Sequence, residues 1–534
     1  MKKLPLLILG ITLLIIIFAS SVGGKDYFLY DFEKDKILFM GSEDTVFTEK
    51  INMEKNPHLV MQTYDPQKFL CVSKPDDQNN KAAQLYLFDI SSGRTEDLIE
   101  LGYARLCWDY TKDRKDFFIA YKPTPDSESF DILHYNIPEK KTEVMTKVAN
   151  QVLNVYISED DKNIFLVKGK EEKESAQMIT LSYAPWKVES KLTVGDDPNY
   201  LYVLGGGKVA ILNRNSKGGN KSSLQYIDTK TNELTDYRLY QSKVYYQWYE
   251  DEKVLVVATR DLIYQGSFSG SGEFFRVNAQ GVKKAKAGVW FDFEYLPKQD
   301  KLTILGEFKL RIIDYSDDSD NFYSTKTNNY YLDDNDHMIY IYQVQSVTDV
   351  NLLTIACFKK QSIKFFSLDQ KKLLKEVKTG KWKLFKSGGD SKPTINVNPN
   401  KDRYYVMSCA TDDITVFDQD FKQINYISIP ESALNMYQIK KPTLQSIVVT
   451  EKNIYQLDYD KCVLVPIFEF KEKAKETAWV EDEKRVIIYT DREMVVIELA
   501  TMKATNSFQF YGDPNEKYTK LKKGEQRYYF IRTL

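Results

Sequence analysis

The chain reads as short apolar runs broken every few residues by clusters of Asp, Asn, Pro, Lys and Gly. Runs such as Ile414-Thr415-Val416-Phe417 alternate with period two and are bounded by turn formers, the pattern of β-strands. No long amphipathic helical pattern interrupts them. One polar turn recurs between apolar runs: Asp65-Pro66-Gln67-Lys68, Glu159-Asp160-Asp161-Lys162, Pro297 to Lys301 and Pro399 to Arg403. Asp, Asn and Pro suit such reversals. A second signature ends a strand on an aromatic or aliphatic residue followed by Asp. It stands as LYLFDISSGRTEDL from Leu85, SLQYIDTKTNELTDY from Ser223, ITVFDQDFKQINYI from Ile414 and IYQLDYDKCVLVPI from Ile454.

Two stretches repeat this grammar almost residue for residue. Trp248-Tyr249-Glu250-Asp251-Glu252-Lys253 leads into Val254 to Val257, and Trp479-Val480-Glu481-Asp482-Glu483-Lys484 leads into Val486 to Tyr489. The repeating unit has four strands, and its third strand begins near residues 27, 85, 131, 178, 223, 262, 309, 362, 413, 453 and 494. Four-stranded units at this spacing predict an all-β chain of tandem β-propellers with about eleven blade units. The chain resembles the WD40 and YVTN-type propeller superfamily over nearly all of residues 25–534.

Eleven blades exceed the usual four to eight of one propeller. The simplest division is an N-terminal propeller over 25–280 and a C-terminal one over 281–534, parted near Gly266–Gly272 or Lys283–Lys286. A single larger ring, or seven blades plus a partial array, is the alternative. The chain opens on the hairpin Tyr27–Asp31 and Lys36–Phe39, read as third and fourth strands. It closes on Tyr518–Leu521 and Tyr528–Ile531, read as first and second. Two half blades would complete each other, so the termini are expected to share a sheet.

The first 24 residues stand apart. Lys2-Lys3 precede an apolar run from Leu4 to Ala19, then small residues to Gly24. This is an export signal or, counted over residues 4–22, an uncleaved membrane anchor helix. Either reading places the rest of the chain outside the cytoplasm. Lys plus Arg number 74 against 76 Asp plus Glu, which removes the usual electrostatic argument for nucleic acid. Five cysteines without a CxxC pair, and three scattered histidines, offer no metal or disulfide framework.

Chemistry leaves few marks. Gly266-Ser267-Phe268-Ser269-Gly270 puts Phe where a nucleophile elbow needs Ser. Acidic clusters at Asp314–Asp320 and Asp333–Asp336 are oxygen-rich but lack EF-hand spacing, and Asn220-Lys221-Ser222 fits a glycosylation acceptor. No catalytic residue, metal or cofactor is assigned. The links between second and third strands are long and polar in the first half and short in the second. Asp77, Asp126, Glu172 and Lys217 stand in four of the long ones. They are the candidate ligand-binding residues of a recognition module or scaffold for a protein, peptide or glycan. The alternative is a propeller enzyme of hydrolase, lyase or lactonase type, acting on a small molecule or glycan in a central funnel. The 37 Tyr and 29 Phe suit sheet packing, or an aromatic binding face for glycans or peptides.

Overall fold

The computed structural model describes residues 27–31, 36–40, 44, 48–52 and 530–532. It also describes 57–509 with interruptions at connecting segments, the longest being 74–81, 214–221, 261–271, 316–325, 332–341 and 379–393. Among the described residues the strands form eleven four-stranded antiparallel sheets. Ten are meanders of consecutive strands, which we number blades 1 to 10: 57–100, 103–149, 152–193, 198–239, 243–288, 290–331, 342–378, 394–428, 433–469 and 477–509.

The eleventh blade joins the two ends of the chain. Its order is Thr48–Asn52, Lys36–Met40, Tyr27–Asp31, then Phe530–Arg532. Tyr27 pairs with Arg532 and Leu29 with Phe530, antiparallel. The termini therefore share a sheet, but as three strands plus one. Tyr27–Asp31 is a second strand rather than a third, and Phe530–Arg532 is a first. The expected strand at 518–521 lies outside the described residues, as does the apolar segment 4–22.

The contacts divide the chain into two compact units, Pro57–Ile339 and Met1–Asn56 with Tyr340–Leu534. The first holds blades 1 to 6 and the second blades 7 to 11. The boundary expected at 280/281 sits instead in the turn between Gly272–Asn278 and Gly281–Gly288, two strands of blade 5. Gly266–Gly272 belongs to a link within that blade, and Lys283–Lys286 to one of its strands. A Gly-rich or Lys-rich stretch marks a loop or an edge strand as readily as a domain border.

Within each unit the cores lie between neighbouring blades, taken in chain order. Phe118 and Ile132 of blade 2 pack with Leu166 and Leu181 of blade 3. Tyr405 and Val416 of blade 8 meet Met436 and Leu457 of blade 9. Four-stranded meanders stacked this way are the blades of a β-propeller. Second strands such as Ile164 to Lys168 are buried, whereas fourth strands such as Arg94–Glu100 and Lys141–Ala149 are mostly exposed. Their Lys, Arg and Glu residues keep that outer edge from pairing with another chain.

The recurring signatures prove to be turn chemistry. The Asp or Asn ending a third strand accepts backbone N–H groups of the next turn. Asp89 takes Ser92 (3.2 Å), Asn136 takes Glu139 (2.9 Å), Asp418 takes Lys422 (2.8 Å) and Asp458 takes Lys461 (2.9 Å). The first turn uses the same device. Ser158, Asn398 and Asp482 accept from the N–H groups of Asn163, Arg403 and Arg485. Asx and Ser/Thr side chains stand in for backbone acceptors there. Trp248, next to last in the first strand of blade 5, and Trp479, in the middle of the first strand of blade 10, pack between blades, Trp479 stacked on Tyr437 at 5.0 Å.

Candidate binding site

Because the strands run up and down, second-to-third links and blade-to-blade connections leave the same edge of every blade. In blades 1 to 5 the second-to-third links are long: 74–83, 123–128, 169–176, 214–221 and 261–271. Blade 6 has only 307–308. The blade-to-blade connections of this unit are short, as at 101–102 and 150–151. The links holding Asp77, Asp126, Glu172 and Lys217 thus join the second and third strands of blades 1 to 4. Asp126 is exposed in the turn after Asp116–Lys122, where Lys122 Nζ donates to the Pro125 carbonyl at 2.6 Å. Asp77, Glu172 and Lys217 lie outside the described residues. So do Asp333–Asp336 and most of 314–320. Among the described residues no group of three or more His, Cys, Asp or Glu could hold a metal ion.

The innermost strands of the six-blade unit start at that same edge, and they are rich in aromatic residues. Tyr200 and Tyr202 come from Pro198–Gly205 of blade 4, Tyr245, Tyr246 and Trp248 from Lys243–Tyr249 of blade 5. Trp290 and Phe293 come from Trp290–Leu296 of blade 6. Side chains alternate across a strand, so Lys243–Tyr249 presents rings to both neighbours. Tyr246 lies 5.1 Å from Tyr200 and Trp248 lies 5.2 Å from Tyr202, towards blade 4. Tyr245 meets Trp290 edge-on at 5.4 Å, towards blade 6. The Trp290 indole donates to the Thr259 carbonyl (2.9 Å), near the end of the second strand, which fixes it at the link edge.

Between blades 5 and 6, Tyr245, Tyr246, Trp290 and Phe293 line an open cavity of about 380 Å³, together with Val244, Gln247 and Asp292. Trp290 is 3% and Phe293 8% exposed, whereas Tyr245 is 38% exposed and Tyr200 40%. Burial holds the hydroxyls of Tyr202, Tyr156 and Tyr249 above their ordinary range.

Two titratable features of this unit are held by structural bonds. The Asp109 carboxyl, pushed up to about 6 by burial, accepts N–H groups of Ile157 (2.8 Å) and Tyr110 (2.9 Å) and so ties blade 2 to blade 3. His134 Nε2 lies 2.7 Å from Asp116 Oδ1, and its ring sits against Phe118 (5.0 Å) and Trp186 (5.1 Å). The sequence contained the aromatic signal, at Tyr200-Leu201-Tyr202 and Tyr245-Tyr246-Gln247-Trp248. It did not show which strand of a blade lies innermost.

No protein-family model matches the chain, and no curated protein matches it. Solved structures overlap it loosely. Hydrazine synthase of Kuenenia stuttgartiensis is 12% identical, with TM-score 0.30 over 68% of this chain and 96% of that one. TolB of Acinetobacter baumannii is 14% identical, with TM-score 0.29 over 49% and 64%. The extracellular domain of a putative one-component system from B. thetaiotaomicron is 10% identical, with TM-score 0.31 over 88% and 68%. Overlaps this weak carry no argument about ligand or activity, and the fold assignment rests on the sheets themselves. Among the described residues no helix is long and apolar enough to cross a membrane.

Proposed function

We propose that the chain is a WD40/YVTN-like propeller recognition module that works outside the cytoplasm and binds its ligand at the link edge of the six-blade unit. The observation that carries this reading is a coincidence of place. The long second-to-third links of blades 1 to 5 leave the edge where the aromatic innermost strands begin, and a cavity opens between two of those strands. Rigid blades with variable links are a common way to build a binding surface. Asp77, Asp126, Glu172 and Lys217 supply charge around that edge, and the apolar segment 4–22 directs export or anchors the chain.

The test is an array carrying both glycans and peptides, probed with the purified full chain. Capture of one class is expected, weakened when Asp77, Asp126, Glu172 and Lys217 are replaced together by Ala. Affinity unchanged in that variant removes the links from the binding surface. Turnover of a captured compound would replace the recognition reading with an enzymatic one.

A further inference from the structure

Resting on that reading, we propose that the cavity between blades 5 and 6 binds a sugar ring of an uncharged oligosaccharide, stacked on Tyr245, with the chain continuing across Tyr200. The argument starts from which surfaces remain available. Trp248 is occupied within the protein: the Lys253 ammonium sits 5.9 Å from its ring centre, its indole donates to Glu250 at 3.1 Å, and Glu250 also holds Lys253 at 3.0 Å. Trp290 has its N–H on Thr259 and lies buried. The open ring faces are those of two tyrosines on adjacent innermost strands.

Hydrogen-bonding groups stand beside the Tyr245 ring. Gln247 accepts the Tyr249 hydroxyl through Oε1 (2.7 Å), and its amide nitrogen carries two donor hydrogens. Asp292, an acceptor when ionised, stands on the opposite wall. A ligand here must lay a flat apolar face on an aromatic ring and present hydroxyls at its rim. A purely apolar ligand would cover the exposed Gln247 amide without giving its N–H groups a partner, which is costly. A pyranose ring has both parts: C–H bonds across its face and hydroxyls around its edge. The volume lies at the low end of ligand pockets and suits one ring with part of the next. On the other side of the same strand Tyr246 lies 5.1 Å from the exposed Tyr200, so a chain that crosses the strand from the cavity meets a second aromatic surface.

The experiment titrates neutral oligosaccharides of four to six units, one family of linkage at a time, into the full chain. It follows heat and tryptophan fluorescence, since Trp290 lines the cavity. Binding by at least one linkage family is expected. Tyr245→Ala should weaken it roughly tenfold or more, Tyr200→Ala by less, and Tyr245→Phe by little, because the ring remains. Tyr426→Ala, an exposed tyrosine of blade 8, should change nothing. Saccharide binding that ignores Tyr245→Ala and Tyr200→Ala overturns the site. Absence of binding to every neutral saccharide, or peptide binding that Tyr245→Ala abolishes, overturns the ligand class. Neither result touches the link-edge reading, which stands or falls with the fourfold link variant.

Discussion

The two units share one blade grammar and use its innermost strand differently. In the six-blade unit that strand carries Tyr and Trp, as at 200–202 and 245–248. In the five-blade unit one such aromatic pair recurs, Trp479 on Tyr437, but the same strands add amides and hydroxyls spent on the neighbouring blade. Asn396 donates to Ser446 at 2.5 Å, Thr394 to Asn435 at 3.2 Å, and Gln438 to the Val397 carbonyl at 2.7 Å. The link edge differs as well. The six-blade unit lengthens its second-to-third links and keeps its blade-to-blade connections short. The five-blade unit shortens the former, as at 451–452 and 491–492, and lengthens the latter, as at 379–393 and 510–529. The buried second and third strands tolerate little change, so variation collects on the innermost strand and the links.

The largest effect is expected at the seam of the five-blade unit, where the two ends of the chain share blade 11. Removing residues 518–534 takes away Phe530–Arg532 and leaves the edge of Tyr27–Asp31 open. Calorimetry of the truncated chain should show the five-blade transition lowered by more than about 10 °C while the six-blade transition keeps its place. Equal melting of the two forms would mean that the seam contributes nothing.

A smaller contrast concerns two buried arginines. Arg485, fully buried in blade 10, holds Asp482 through Nε (3.2 Å) and Nη2 (2.7 Å) and donates to the Asp44 carbonyl, reaching the closing blade. Arg276 of blade 5 holds Asp300 of blade 6 at 3.0 and 2.6 Å, but Asp300 also receives the Tyr295 hydroxyl (2.6 Å) and is partly exposed. Arg485→Met leaves the buried Asp482 carboxylate with backbone N–H donors but without this cation or contact with water, and should cost about 3–5 kcal/mol in denaturant unfolding. Arg276→Met should cost about half as much, since Asp300 keeps contact with water. The reverse order would show that solvent exposure does not set the difference.

The smallest effect is a pH slope. Asp109 has a folded pKa of about 6, raised by burial above its ordinary 3.8. Its contribution to the six-blade unit is complete below about pH 4 and is lost as pH rises through 6. Melting of this unit should fall across that window. Asp109→Asn removes the titration but offers one acceptor oxygen where the carboxyl offers two, so it should lower stability at all pH and flatten the slope; a slope that persists assigns the titration to another group.

Much of this fold was legible because turns are local. All four first turns read from Asp, Pro and Lys clusters lie between first and second strands, as the side chains of Ser158 and Asn398 explain. Nine of the eleven expected third-strand starts match third strands. The start near 27 failed because Tyr30-Asp31 copies a third-strand ending on a second strand. The start near 262 failed because the true strand, Gly272–Asn278, follows a long link. The two half blades do suggest that the ends share a sheet, as Tyr27 and Arg532 do, but no local pattern marks the border at 339/340 that this pairing implies. Of the four proposed link residues the structure places Asp126 alone. The aromatic band needed a third dimension, since a strand's rank within its blade follows from the whole count.

Blade 11 also has a timetable. Its first three strands leave the ribosome early, and the strand that completes it comes almost last, with a whole six-blade unit made in between. At bacterial or eukaryotic synthesis rates the wait is roughly half a minute to a minute and a half. Throughout it the row of N–H and C=O groups along Tyr27–Asp31 stands ready to accept a strand from any chain nearby. The seam that finishes the protein is thus the point most exposed to mispairing while the protein is being made, and yield at rising expression temperature should fail there first.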